Sequence, residues 1–209
     1  DVSRDFGILS IQGPKSEEIL SKIANLKDLK LNSSKIVKIN EIQLRIFRTS
    51  FGFELHIPSK DCVEIYNQLM STGCLTNAGF RAFNSINFER GQHLWSFDLR
   101  SDDSPLEAQL SGNCREDGID FKGRDAMIKK GVQKSLIYLT IDEKIPIWGL
   151  EGVNKNGEIV GHLRRGEWSH TLNKALGNCY IEGDVEGEFE IEVMGKLYKA
   201  QAHLKPPVN

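Results

Sequence analysis

From about residue 132 onward the chain carries only short strand-like runs, and this change of character constrains the fold more than any other feature. Leu136 to Ile141 reads as a strand. Asn154-Lys155-Asn156-Gly157 carries a strong hairpin signal ahead of Glu158-Ile159-Val160, because Asn-Gly suits the two left-handed positions of a tight turn. Glu188 to Val193 alternates polar with apolar, and Met194-Gly195-Lys196 can turn it into Leu197 to Leu204. Short strands at regular spacing predict a small antiparallel barrel or sandwich.

The part before residue 132 mixes strands and helices. Phe6 to Ile11 reads as a buried strand stopped by Gly13-Pro14. Pro14 suits the first position of a helix whose apolar face is Ile19, Leu20 and Ile23. Ile36 to Ile39 and Ile42 to Phe47 read as two strands around Asn40-Glu41. Phe53-Glu54-Leu55-His56-Ile57 alternates strictly, so Glu54 and His56 face away from Phe53, Leu55 and Ile57. Ser59 is expected to cap a helix over about residues 60–71 with Val63, Tyr66 and Met70 inward. Phe80 to Arg90 is a second helix closed by Gly91. Ser104-Pro105-Leu106-Glu107 has the capping-box pattern, and a short helix through Ala126-Met127-Ile128 lies between Gly123 and Gly131. The expected architecture is α+β over 1–131 followed by an antiparallel β-barrel domain over 132–209.

Charge and motifs exclude several functions. The 209 residues carry 27 Lys+Arg against 29 Asp+Glu, a net charge of −2, so nothing marks a general nucleic-acid binder or a polybasic membrane surface. No apolar run reaches the roughly 18–20 residues of a membrane helix. No P-loop, Rossmann fingerprint or G-x-S-x-G elbow is present. The pair Arg164-Arg165 reads as a solvated surface pair or a barrel-rim contact. Cys62, Cys74, Cys114 and Cys179 form no C-x-x-C pair, and the five histidines are scattered. Reduced thiols and no metal site are therefore expected. The first residues form no signal or transit peptide and no initiating Met is present, so a processed or excised chain is expected.

Two residues hold chemical interest. Glu54 sits mid-strand between bulky apolar neighbours, and Arg81 opens the second helix. Each has an ordinary reading: a solvent-facing strand residue and a surface ion pair. The alternative puts both on one planar ligand. A carboxylate accepts two parallel N–H bonds from a guanidine-like ring edge, and a guanidinium donates a planar fork or stacks on the ring.

Blocks along the whole chain carry a family resemblance. They include Leu9-Ser10-Ile11-Gln12-Gly13-Pro14, Gly52-Phe53-Glu54-Leu55-His56-Ile57-Pro58 and Asn77-Ala78-Gly79-Phe80-Arg81-Ala82. Further blocks are Asp102-Asp103-Ser104-Pro105-Leu106-Glu107-Ala108, Gly123-Arg124-Asp125-Ala126 and Ala200-Gln201-Ala202-His203-Leu204-Lys205. The chain resembles the folate-binding aminomethyltransferase module of the glycine-cleavage T-protein family, and most of all its branch in the C-terminal part of sarcosine dehydrogenase. The resemblance implies a tetrahydrofolate pocket in which Glu54 holds the pterin edge, Arg81 is the family arginine, and Trp95 stacks on the pterin or aminobenzoyl ring. It implies no catalytic residue in this stretch, which by itself is expected to be inactive. It also implies FAD only in an upstream flavin domain, a small-molecule folate partner, no nucleic acid or membrane partner, and the mitochondrial matrix. Two other members of the resemblance stand as alternatives: a non-catalytic regulatory subunit of the pyruvate dehydrogenase phosphatase type, and the glycine-cleavage aminomethyltransferase. Arg48 to Glu54 carries a shorter strand connection than the family pattern.

Overall fold

The computed structural model describes residues 1–110, 112, 114 and 120–208. The chain divides into two compact units, Asp1–Asn77 and Ala78–Asn209.

The first unit is built on an antiparallel four-stranded sheet. Its strands are β1 (Phe6–Gln12), β2 (Ser34–Ile39), β3 (Ile42–Thr49) and β4 (Gly52–Pro58), in the order β1-β4-β3-β2. Asn40 takes a left-handed φ of 53° in the two-residue turn that pairs Ile39 with Ile42. Helices α1 (Ser16–Leu20) and α2 (Cys62–Met70) accompany the sheet. The alternation of β4 is realised: Phe53, Leu55 and Ile57 are buried with Ile11, Ile39, Ile46, Ile65 and Leu69 in one core. Burial of each such side chain contributes about 1.5–3 kcal/mol.

Two helix expectations in this unit are corrected. Pro14 lies in the turn ahead of α1, not in its first position. Ser59 caps nothing; it starts a 3-10 turn (Ser59–Asp61), and its hydroxyl donates to the Arg4 carbonyl at 2.7 Å. That bond ties the turn to the chain just before β1 and delays α2 to Cys62. The inward face is then Ile65 and Leu69, four apart, while Val63 is 70% exposed, as the 3.6-residue period requires once that stripe is fixed.

The second unit opens with α3 (Phe80–Glu89), ended at Gly91 with φ 69°. Ser104-Pro105-Leu106-Glu107 makes its box, since the Glu107 carboxylate accepts the Ser104 N–H at 2.9 Å and the Ser104 hydroxyl accepts the Leu106 N–H. Only a turn follows, not a helix. Glu107 also accepts the Gln133 N–H and pairs with Lys130, so this carboxylate fastens a loop. Helix α4 (Arg124–Lys130) lies between two positive-φ glycines, Gly123 and Gly131.

Seven antiparallel strands complete the unit: β5 (Lys134–Ile141), β6 (Gly152–Lys155), β7 (Glu158–His162), β8 (Arg165–Ser169), β9 (Lys174–Glu182), β10 (Phe189–Val193) and β11 (Lys196–His203). Their order is β7-β6-β10-β11-β5-β9-β8. Asn156-Gly157 and Met194-Gly195 both occupy positive φ and make the two tight hairpins, the backbone that matches strand twist. The sheet curls around Ile137, Leu139, Val153, Leu163, Phe189 and Ile191 as a half-barrel. The architecture is α+β with a terminal antiparallel half-barrel, as expected.

Candidate functional site

Strand pairing decides what surrounds Glu54. It lies opposite Ser10 of β1 and Phe47 of β3, while His56 lies opposite Ile8 and Arg45. These side chains share the sheet face turned away from the core. The Glu54 carboxylate is 45% exposed, and its Oε2 stands 3.7 Å from His56 Nε2. The His56 ring leans on Phe47 with centroids 4.5 Å apart. His56 Nε2 is buried and lacks a hydrogen-bond partner.

The face thus offers a half-exposed carboxylate, an aromatic edge and an orphaned ring nitrogen. Exposed Phe6, Ile8 and Ile36 add apolar surface on the same side. A flat, nitrogen-rich ring suits that set: its N–H groups meet the carboxylate, and its face meets Phe47 and His56. The pterin end of a folate has this chemistry, so the residues present fit it.

Arg81 and Trp95 belong to the second unit. Arg81 stands at the start of α3, and its guanidinium is 4.9 Å from the centroid of the Trp148 ring. Its Nη2 is 3.6 Å from Glu167 Oε2, and its side chain is 70% exposed. Trp95 is 64% exposed, and its backbone bridges to Leu99.

Phe47, Ser10 and the lack of a partner at His56 Nε2 are not legible in the residues alone. The strict alternation did place His56 beside Glu54 on the open face. The neighbours from β1 and β3 depend on register, which no local pattern carries. The solvated-surface reading of Arg164-Arg165 is corrected: Arg165 is buried, with Nη1 3.2 Å from Asp98 Oδ2, and Arg164 bonds Asp103 at 3.0 Å. Hydrophobic curling of the barrel draws both inward, where each finds a carboxylate. All four cysteines are free. Among the described residues no three His, Cys, Asp or Glu side chains gather as a metal site, and no helix is long and apolar enough to cross a membrane.

Comparison with known proteins gives these arrangements a family. The profile of the GCVT N-terminal domain matches residues 1–117, and that of the glycine cleavage T-protein C-terminal barrel domain matches residues 134–209. Mitochondrial sarcosine dehydrogenase of Mus musculus is 40% identical over 234 aligned residues, covering 100% of this chain and 26% of that protein. Mitochondrial dimethylglycine dehydrogenase of Homo sapiens is 29% identical, again over 100% of this chain and 26% of its own length. An aminomethyltransferase of Thermoanaerobacter sp. (strain X514) is 32% identical over 96% of this chain and 59% of itself. The crystal structure of glycine cleavage system aminomethyltransferase T from Bartonella henselae superposes with a TM-score of 0.54 at 17% identity, covering 99% of this chain and 84% of that one. The chain spans about a quarter of the length of the two dehydrogenases it matches. With one family profile over more than half of its residues and a second over the barrel, this chain belongs to the glycine cleavage T-protein family.

Proposed function

We propose that the chain is the folate-handling C-terminal region of a sarcosine- or dimethylglycine-dehydrogenase-like flavoenzyme of the mitochondrial matrix. Its role is to hold tetrahydrofolate where a one-carbon unit derived from an N-methyl amine can reach it. The observation that carries this reading is the Glu54 carboxylate, half-exposed on the open sheet face beside Phe47 and the unpaired His56 Nε2.

Bound tetrahydrofolate supplies two nucleophilic nitrogens to take up the one-carbon unit. Everything else asked of these residues is positioning. Glu54 accepts N–H bonds from the pterin edge and fixes the ring's rotation. Phe47 and His56 give the ring an apolar wall that keeps water off one face. By resemblance Arg81 and Trp95 are folate-binding residues as well, Arg81 as a charge and Trp95 as a stacking surface. Holding one reactant in a set orientation supplies several kcal/mol of a barrier without any covalent bond to the protein. Flavin oxidation of the amine belongs to an upstream domain. On this reading residues 1–131 are the folate-binding part and 132–209 its barrel.

Titration calorimetry with tetrahydrofolate tests the proposal. Glu54→Gln keeps the shape and removes the charge, so it forfeits about 1.5–3 kcal/mol, or roughly 10- to 150-fold in affinity. Equal affinity in the parent and the variant removes Glu54 from the site.

A further inference from the structure

The second unit holds a hollow of 260 Å³ at the edge of the barrel, lined by Arg100, Lys134, His162, Arg164, Leu150 and Tyr180 among others. Its chemistry is one-sided. Lys134 Nζ and Arg164 Nη2 both contact the same oxygen of Asp103, at 2.7 and 3.0 Å. The other Asp103 oxygen accepts the backbone N–H of Arg100 at 2.8 Å. One carboxylate therefore serves two cations, and its oxygens are already engaged.

The two cations are also largely withdrawn from water. The side chains of Lys134 and Arg164 are 18% and 13% exposed. Both press on the Tyr180 ring, 4.8 and 5.1 Å from its centroid, so the ring offers little further surface to a ligand. Arg164 Nη1 is buried and has no hydrogen-bond partner. A desolvated cation is costly unless fully paired, and an unmet donor adds to that cost. Arg100 brings a third positive charge to the rim. Among these lining residues and their direct partner, two positive charges remain uncompensated before His162 is counted.

From this arrangement we infer that the hollow is a binding site for a small oxyanion carrying two negative charges, a phosphate or a short dicarboxylate. Its oxygens meet Arg100 and His162 at the rim and draw on the field of Lys134 and Arg164 beneath. The volume sets the size class. At about 30 Å³ per water-sized volume it holds roughly nine such volumes, enough for a phosphate or a five-carbon diacid and below the usual range of nucleotide-sized sites. Leu150, 73% exposed, forms an apolar lip, which suits a ligand with a short hydrocarbon segment. The site lies wholly within the second unit and does not rest on the folate reading.

The test is titration of the 209-residue chain with inorganic phosphate and, separately, with glutarate, in a low-salt buffer free of other oxyanions. Calorimetry and amide NMR shifts provide the readouts. The expected result is saturable binding of at least one probe, with shifts centred on Arg164, Tyr180 and Leu150. The tighter probe identifies the headgroup. Arg100→Gln and His162→Gln alter exposed side chains and leave the Asp103 pairs intact, and at least one is expected to weaken binding by about tenfold, the loss of one charge-assisted contact. No saturation by either probe, or affinity unchanged in both variants, overturns the assignment.

Discussion

Asp98 and Arg165 form an ion pair with almost no solvent contact: Arg165 Nη1 lies 3.2 Å from Asp98 Oδ2, and the two side chains are 1% and 5% exposed. The rest of each group is also engaged. Asp98 accepts from the Leu94 N–H and from Asn178. Arg165 donates to the Asn84 carbonyl and lies 4.5 Å from the Phe88 ring centroid. One salt bridge thus joins α3, the loop after it, β8 and β9. Removal of one partner leaves a buried charge alone, which costs about 3–5 kcal/mol. Asp98→Asn is expected to lower the stability of the second unit by that amount. All three tryptophans lie in that unit, so tryptophan fluorescence during urea unfolding reads the loss directly.

Acid should weaken the same unit through Glu89. Burial raises its carboxyl, but hydrogen bonds from the Thr171 hydroxyl and N–H, the Ser169 hydroxyl and the His170 backbone outweigh that and hold it below its ordinary 4.5. A depressed folded value means stability that is complete above 4.5 and lost as pH falls through the folded value. Glu89→Gln should be less stable at neutral pH and show a flatter urea midpoint between neutrality and pH 3. A pH dependence identical to the parent's would remove Glu89 as a source.

The thiols should separate by reactivity. Cys179 in β9 has no solvent exposure, and burial pushes its thiol up from the ordinary 9.0 to about 12. The thiolate is the reactive form, so an aromatic disulfide reagent at pH 8 should label exposed Cys74 and leave Cys179 unlabelled until unfolding. The raised value also fixes the alkaline behaviour. The contribution of Cys179 is complete below 9 and fades as pH rises through about 12, because the unfolded chain ionises first. Prompt labelling of Cys179 in the folded chain would contradict this burial.

Two glycines with similar backbone angles should respond differently to alanine. Gly91 has φ 69°, and a Cβ there would run into the Pro206 ring and crowd the Tyr138 hydroxyl. Gly157 has φ 84° with nothing within 4 Å. The left-handed backbone alone costs about 1–2 kcal/mol, the expected effect of Gly157→Ala. Gly91→Ala adds about 1–3 kcal/mol of overpacking. Equal melting temperatures for the two variants would mean that Pro206 gives way freely.

What could be read from residues was what local physics decides. The alternation of β4 placed Phe53, Leu55 and Ile57 inside, and Asn156-Gly157 and Met194-Gly195 made the turns their backbone preferences require. Local pattern misleads where a distant partner intervenes. Ser59 is a sound helix cap until the Arg4 carbonyl claims its hydroxyl. The Ser104 box forms, yet the pull of Gln133 and Lys130 on Glu107 suits a closed turn. Arg164 and Arg165 look like surface charges because Asp103 and Asp98, far away in the chain, cannot be paired with them by eye. The candidate site shows the same division: Glu54 was legible from its strand, while Phe47 and Ser10 came to it through register.

The order of the half-barrel has a consequence for how it can assemble. Strand β5 begins the sheet in sequence, yet it sits between β9 and β11, so one of its edges stays bare until His203 has been added. Contacts spanning more than sixty positions, such as the hydrogen bond between Thr140 and His203, must close against chain entropy before they repay it, which slows folding. During synthesis a half-made barrel would present that open strand to any passing neighbour. Loss of the final eight-residue strand should therefore leave a sticky, aggregation-prone sheet in place of a smaller version of the same domain.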